Sequence, residues 1–123
     1  MNHSEKPYAG LALLTDLDGT LLDRQKNLSE ENRYALQQAA EKGIYIVPCT
    51  GRFYNGIPES IRQLPFIRYA ITINGAVLYD AWERKNVYEV SIPLERGLYV
   101  LDWCAALGVA FDCYIDGQGY MSR

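Results

Sequence analysis

Two aspartates that bracket a single leucine are the residues of this sequence best suited to chemistry. Asp16 and Asp18 follow the apolar run at residues 11–14, and Gly19 comes directly after them. Because side chains alternate along a strand, the two carboxylates leave the chain on the same side, and glycine allows the backbone to turn sharply after them. This pattern is typical of phosphoryl transfer.

The two carboxylates can divide the work of such a transfer. Asp16 can attack a phosphorus atom and form an aspartyl-phosphate, which splits one difficult displacement into two easier steps. Asp18 can then protonate the leaving oxygen and later deprotonate the attacking water, and we expect the neighbouring carboxylate to raise its pKa so that it holds a proton. Because two acids repel a phosphate, the sequence also predicts a Mg²⁺ ion, held by few carboxylates together with waters and phosphate oxygens.

Two more apolar runs end in polar residues followed by glycine. The runs at residues 44–47 and 70–73 lead into TGR at residues 50–52 and NGA at residues 74–76. In open α/β sheets, ligands bind outside the carboxyl ends of the parallel strands. We therefore expect all three strand ends to face one crevice.

Each residue at the second and third strand ends has a plain structural interpretation beside the functional one. The Thr50 hydroxyl and the backbone N–H groups near Gly51 can donate to phosphate oxygens, although Thr50 also suits an ordinary strand end. Arg52 can offer a fork of donors to phosphate or form a surface ion pair. Asn74 and Gly75 can line the site or simply form a hairpin turn, for which Asn-Gly is a common sequence.

Secondary-structure patterns place these residues in an α/β fold. Residues 10–15 are apolar on both alternations, which is typical of a strand covered on both faces in a parallel sheet. Ser29 is a good N-cap for a helix over residues 30–42, and Gly43 ends it. The order of elements predicts a parallel sheet with right-handed crossovers, built from strands at 10–15, 44–47 and 70–73 and helices at 30–42 and 54–64.

After the third strand, the pattern changes to strands that pair locally. Alternating segments predict two hairpins, and a helix lies between them, with Pro93 at its entry and Gly108 at its end. The predicted elements are a hairpin of strands at 76–80 and 86–92, a helix at 93–107, and a hairpin of strands at 109–116 and from 120 onward around residues 117–119.

Composition limits the partners and the compartment. The chain has 123 residues, enough for one domain, and a formal net charge of −3, so it offers no basic face for nucleic acid or an anionic membrane. No apolar run approaches transmembrane length, and the N-terminal run lacks the pattern of a signal peptide. The three cysteines match no zinc or disulfide pattern, which favours reduced thiols in the cytoplasm.

Three motifs, each placed after an apolar strand, carry a resemblance to a known family. DLDGTLL at residues 16–22, TGR and NGA together resemble the haloacid dehalogenase superfamily of phosphohydrolases, in particular its Cof-type members with a large cap. The resemblance implies a Rossmann-like core followed by an α+β cap, with Asp16 as nucleophile, Asp18 as acid and base, and Thr50 as a phosphate ligand. It also implies Mg²⁺ bound by the side chain of Asp16 and the backbone carbonyl of Asp18, with Asn74 lining the site.

The family pattern contains two later motifs that do not follow in this sequence: a lysine that stabilises the nucleophile and phosphate, and an acidic GDxxND-type motif that completes the metal site. We therefore expect the chain to be the N-terminal part of a longer phosphatase, with half of the core at residues 1–92 and the start of the cap at 93–123. An unfinished sheet and cap would expose apolar surface and favour self-association.

The function that the resemblance implies is Mg²⁺-dependent hydrolysis of a small phosphorylated metabolite, such as a sugar phosphate or a nucleotide-derived phosphate. Weak or absent activity is expected of this chain by itself. A phosphomutase of the same superfamily is a close variant. The alternative is a non-catalytic role, in which the chain is an inactive domain or a binding and assembly module.

Overall fold

The computed structural model describes residues 6–122. The described chain forms seven strands, three α-helices and two short 3-10 turns. In chain order they are β1 (Ala12–Thr15), α1 (Glu30–Glu41), β2 (Tyr45–Pro48), the turn Tyr54–Gly56, α2 (Glu59–Arg62), β3 (Tyr69–Thr72), the turn Ile73–Gly75, β4 (Val77–Asp80), β5 (Lys85–Glu89), α3 (Leu94–Leu107), β6 (Asp112–Ile115) and β7 (Gln118–Met121).

The first three strands run in parallel, as predicted. β1 pairs with β2 in parallel register, with Leu13 opposite Ile46. A parallel bridge between Cys49 and Ile71 joins the end of β2 to β3. β3, β4 and β5 continue as an antiparallel sheet. The predicted α/β fold class with a parallel sheet is confirmed.

Helix α1 forms for the reasons that its sequence indicates. The Ser29 hydroxyl accepts the backbone N–H of Asn32 at 3.2 Å and so caps the first turn. Leu36 is buried against the core, and the helix ends at Glu41, close to Gly43 with its positive φ of 97°. The prediction of this helix is confirmed.

The helix predicted over residues 54–64 is wrong in its extent. Ile57 is extended, with φ −70° and ψ 133°, because a residue that precedes proline is disfavoured in helical geometry. Pro58 therefore separates a 3-10 turn from the four-residue α2. Ile57 and Ile61 are nevertheless 2% and 1% exposed, so the segment packs its apolar side against the core.

The core lies between the sheet and the segments that follow β1 and β2. Its buried members are Leu17, Leu21, Leu22, Leu36, Ile46, Ile57, Ile61, Leu64, Ile67 and Ala70. Strand β1 is not covered on both faces as predicted, because Leu13 and Leu14 are 43% and 56% exposed. Among the described residues β1 has a strand neighbour on one side only, and α1 packs against β2 instead.

The C-terminal elements match their predicted types. Pro93 precedes the first turn of α3 and Gly108 ends the helix in the left-handed conformation, with φ 64°. The turn between β6 and β7 is Asp116-Gly117, with φ values of 49° and 74°, rather than residues 117–119. Asp-Gly suits this tight turn because both central residues need a positive φ. None of the described helices is long and apolar enough to cross a membrane.

Candidate active site

The ends of β2 and β3 meet directly. A Cβ atom added at Gly51 would lie 2.8 Å from Oδ1 of Asn74, so a larger residue there would displace the Asn74 side chain. The Asn74 N–H donates to the Thr50 carbonyl at 3.2 Å, and the Thr50 N–H donates to the Ile71 carbonyl at 3.0 Å. The structure therefore brings TGR and NGA together at one edge of the sheet.

Asp18 joins the end of β1 to this edge. Arg52 Nε donates to Asp18 Oδ2 at 2.9 Å, and Arg52 Nη2 donates to Asp18 Oδ1 at 3.1 Å. The third guanidinium nitrogen donates to the Gly56 carbonyl at 3.0 Å. The sequence predicts that Arg52 either donates to phosphate or forms a surface ion pair. The described structure has the ion pair, and this pair lies inside the candidate site.

Asp16 is exposed at the end of β1. Its Oδ1 accepts the backbone N–H of Leu17 at 2.8 Å. Its Oδ2 lies 3.5 Å from the Thr20 hydroxyl, at the outer limit of a hydrogen bond. Asp16 therefore has one oxygen that accepts a close hydrogen bond and one that has only a weak partner.

The charge state of Asp18 differs from the sequence-based expectation. Hydrogen bonds from Arg52 and then Lys26 lower the pKa of its carboxyl to about 2, and burial opposes them more weakly. The Asp18 carboxylate in turn raises the pKa of Arg52. The expected upward shift from a neighbouring carboxylate is wrong for this arrangement, because two cations form hydrogen bonds with Asp18 and favour its charged form.

Lys26 is the site residue that sequence reasoning missed. Its Nζ donates to Asp18 Oδ1 at 2.8 Å across eight residues of chain. Nothing in the spacing of the sequence signals this contact, because it depends on how the loop after Leu22 folds back. The candidate site thus contains two cations rather than one.

Thr50, Asn74 and Gly75 lie at the candidate site and also stabilise the local backbone structure. Thr50 is buried at 8% exposure, and its hydroxyl accepts the Arg52 N–H at 3.2 Å. Asn74 and Gly75 have left-handed φ values of 52° and 94° and turn the chain into β4. Both are exposed at the sheet edge, so the turn conformation does not remove them from the site.

The neighbouring thiol is not poised for nucleophilic chemistry. Cys49 lies beside Thr50 and its N–H donates to the Thr15 carbonyl at 2.8 Å. Burial, and after it the charge of Asp16, raise the pKa of the Cys49 thiol. A protonated thiol is a poor nucleophile, so the carboxylates remain the reactive groups at this edge.

The donor set suits a hard cation only with help from solvent or substrate. Among residues 6–122, no group of three or more His, Cys, Asp or Glu side chains converges as metal ligands. The side chain of Asp16 and the backbone carbonyl of Asp18 nevertheless match Mg²⁺, which takes one or two carboxylates and keeps waters and phosphate oxygens. The residues present therefore fit a partly hydrated Mg²⁺ ion.

A separate groove lies away from this edge. It has a volume of about 480 Å³ and is formed between α2 and the turn that follows β4, with Tyr54, Arg62 and Trp82 among its walls. None of the residues at the three strand ends lines it. The strand-end chemistry is therefore on an open surface of the described chain.

Comparison with known proteins identifies relatives over nearly the whole chain. The family of haloacid dehalogenase-like hydrolases matches residues 13–123. Phosphatase YwpJ of Bacillus subtilis is 36% identical over 105 residues, which are 85% of this chain and 36% of that protein. The 5-amino-6-(5-phospho-D-ribitylamino)uracil phosphatase YcsE of Bacillus subtilis is 39% identical over 66 residues, which are 54% of this chain and 26% of that protein.

A solved structure shows the same fold. A haloacid dehalogenase-like hydrolase from B. subtilis superposes with a TM-score of 0.75 and 31% identity, over 84% of this chain and 36% of that chain. The chain therefore spans about a third of the length of the relatives that it matches.

Proposed function

Because this chain belongs to the haloacid dehalogenase-like hydrolase family, we propose that its strand-end site takes part in Mg²⁺-dependent hydrolysis of a small phosphate monoester. Family membership confirms the resemblance seen in the three motifs. The observation that carries the proposal is the ion pair between Asp18 and Arg52, at 2.9 Å, which joins two strand ends that also carry Asp16 and Thr50. The mechanism, the metal and the substrate are proposals, since the chain spans only part of its relatives.

In the proposed reaction, Asp16 attacks phosphorus and the bond to the leaving oxygen breaks. Oδ2 is the better attacking atom, because its only partner is 3.5 Å away while Oδ1 already accepts the Leu17 N–H at 2.8 Å. Asp18 gives a proton to the leaving oxygen. Water then forms a bond to phosphorus while the bond to Asp16 breaks, and Asp18 takes the proton of that water.

Phosphate oxygens would be held by donors from the second strand end. The Arg52 guanidinium lies beside Asp18, and it and the backbone N–H of Gly51 can donate to a phosphate group. Asn74 is proposed to line the same pocket, because its Oδ1 lies against Gly51. Asp16 and the Asp18 carbonyl would hold Mg²⁺, which supplies charge neutralisation and orientation of the phosphate.

Asp18 needs a change of surroundings before it can act as an acid. In the described structure Arg52 and Lys26 hold its pKa at about 2, so it is ionised at neutral pH. A phosphate group that draws these cations away would let the pKa of Asp18 rise. We therefore propose that substrate binding prepares the general acid.

The two-part domain division stays a proposal, with residues 1–92 as half of the core and residues 93–123 as the start of a cap. One contact supports it: the ring of Tyr114 in β6 lies 6.0 Å from the ring of Phe53, which directly follows Arg52. The second hairpin thus lies close to the phosphate-binding loop. A cap that begins here would cover the site.

The substrate class is proposed from the relatives, one of which is named for a phosphate on a ribityl chain. Phosphate monoesters of sugars and sugar alcohols are the class to test first. The three cysteines are free thiols, and we propose a reducing compartment such as the cytoplasm for the protein.

A second candidate function is a non-catalytic assembly module. The observation that favours it is the exposure of α3, in which no residue is buried. A helix with apolar residues on more than one side usually packs against another surface. Turnover by the chain itself would support hydrolysis over the assembly role.

Hydrolysis of 4-nitrophenyl phosphate by the purified chain, with and without Mg²⁺, tests the proposed function. We expect slow turnover that disappears with Asp16→Asn and on chelation of Mg²⁺, while Asp112→Asn, an exposed aspartate at the start of β6, leaves the rate unchanged. Mass spectrometry of acid-quenched samples should detect a phosphoryl adduct on Asp16. A folded chain with Mg²⁺ and no turnover above background would leave hydrolysis as a proposal for the longer parent protein only.

A further inference from the structure

Lys26 is a cation in the candidate site that lies outside the DLDGTLL, TGR and NGA motifs. Its Nζ lies 2.8 Å from Asp18 Oδ1, and its side chain is 49% exposed. The contact uses the same carboxylate oxygen that accepts Arg52 Nη2. Two cations therefore share one carboxylate.

The loop that carries Lys26 is closely built. The Lys26 N–H donates to the Asp23 carbonyl, and the Asp23 N–H donates to the Asn27 carbonyl, both at 3.0 Å. The Asn27 N–H donates to the Asp23 carboxylate at 2.8 Å. Lys26 itself has a φ of 65°, a conformation that non-glycine residues adopt uncommonly. The backbone thus turns Lys26 toward Asp18.

The base of this loop is anchored in the core. Leu22 is 2% exposed and pairs with Leu28 through an antiparallel bridge. The Leu22 N–H also donates to the Leu17 carbonyl at 2.8 Å, directly before Asp18. The position of Lys26 beside the strand end therefore does not depend on its own side-chain contact alone.

The charges of the site make a phosphate group a competitor for both cations. Asp16 and Asp18 supply two negative charges, and Arg52 and Lys26 supply two positive charges, so the set is neutral. A phosphate dianion carries more charge than one carboxylate and more acceptor oxygens for the guanidinium and ammonium donors. Arg52 and Lys26 are 35% and 49% exposed at their side chains, so both can reach an arriving anion.

We propose that Lys26 is a phosphate-binding side chain, and that Asp18 holds Lys26 and Arg52 in place until a phosphate group takes over their contacts. The proposal rests on the proposed phosphate chemistry of this site and adds a ligand to it. Lys26 then binds the phosphate from its loop and not from a strand end.

Titration of the isotope-labelled chain with inorganic phosphate at fixed Mg²⁺ and low salt, followed by amide NMR shifts of Gly51 and Arg52, tests the proposal. Lys26→Gln should weaken binding about fivefold, the size expected of one half-exposed charge pair. Lys26→Arg should bind within about twofold of wild type, because the charge is kept. Lys42→Gln, at the far end of α1, is the matched control and should not change the affinity.

The Asp18→Asn variant shows whether Lys26 binds phosphate itself or only positions Asp18. Asp18→Asn should tighten phosphate binding, because it frees both cations, and Lys26→Gln should still weaken binding in that background. If Lys26→Gln has no effect there, Lys26 only positions Asp18 and the proposal is overturned, while phosphate binding by the wild type leaves the proposed function standing. If neither wild type nor Asp18→Asn binds phosphate, the proposed function fails together with this proposal. Amide shifts remote from residues 16–28 report whether each variant is folded.

Discussion

Asp80 shows how a single carboxylate can organise a turn outside the candidate site. Its Oδ1 accepts the N–H groups of Trp82 and Glu83 at 2.9 and 3.1 Å. Its Oδ2 accepts both Nε and Nη2 of Arg68, at 3.0 and 2.9 Å. The guanidinium also lies over the rings of Tyr69 and Trp82. Asp80 is 2% exposed, and these neighbours supply the hydrogen bonds and the positive charge that a buried carboxylate needs.

This compensation makes the stability of the chain depend on pH. Arg68 lowers the pKa of Asp80, and the two N–H groups contribute after it, so the folded state binds the proton more weakly than the unfolded chain. The stabilisation is complete above the ordinary aspartate pKa of about 3.9 and is lost as the pH falls below it. We expect Asp80→Asn to lower the free energy of unfolding at neutral pH, and the difference from wild type to shrink in acid.

Urea unfolding of both proteins at a series of pH values measures this difference. Asp102→Asn, at an exposed position of α3, is the control and should unfold like the wild type throughout. A difference between wild type and Asp80→Asn that stays constant down to about pH 3 would show that the ion pair does not stabilise the fold.

For single residues, the sequence predicts where a site residue lies better than which residue it contacts. Asp16, Asp18 and Thr50 can be located because each follows an apolar strand, and parallel strand ends meet at one edge. The contact between Arg52 and Asp18 spans 34 residues, and sequence patterns leave the partner of Arg52 open. The contact of Lys26 depends on a left-handed residue at a non-glycine position, which sequence preferences disfavour.

Among the helices, length does not determine what is buried. The four-residue α2 buries Ile61 to 1% exposure, whereas the fourteen-residue α3 buries none of its residues. Ile61 packs in one cluster with Leu17 and Ile57. The short helix therefore contributes more to the described core than the long one.

A pair of matched truncations tests this contrast. Ile61→Ala should lower the free energy of unfolding by about 3 kcal/mol, because it removes buried groups and leaves a cavity. Leu98→Ala, at a position in α3 that is 53% exposed, should change it by less than about 0.5 kcal/mol. Urea unfolding gives both values. Equal losses for the two variants would mean that α3 is packed against the core after all.

Element types follow from the sequence more reliably than element ends. Ser29 marks the start of α1 because its hydroxyl satisfies an N–H that the helix cannot. The apolar residues keep helical spacing on both sides of Pro58, so the spacing predicts one helix over residues 54–64. The backbone before Pro58 cannot stay helical, and the helix is broken there. The turn between β6 and β7 lies at Asp116-Gly117 and not at residues 117–119, because Asp116 and Gly117 have the positive φ values. Gly117 and Gly119 could both adopt a positive φ, so the sequence does not decide where the turn lies.

For the molecule as a whole, the main feature is apolar surface without a partner among the described residues. Leu94 and Leu98 lie on one side of α3, and Tyr99, Trp103 and Leu107 follow one another at four-residue spacing on another side. Their exposures range from 53% to 77%. Soluble monomers rarely expose large contiguous apolar patches, so the predicted self-association remains the expected behaviour of this chain in solution.

We expect the average mass in sedimentation experiments to rise with protein concentration, because association buries the faces of α3. Tyr99→Lys should reduce this rise, since it places a charge in the Tyr99, Trp103 and Leu107 stripe. Tyr34→Lys is the matched control, because Tyr34 is 66% exposed on α1 and Tyr99 is 72% exposed on α3. Trp103 fluorescence should shift to longer wavelength on dilution as its ring returns to water. Equal effects of the two lysine variants, or a monomer at every concentration, would contradict association through α3 and leave its apolar faces to a different partner.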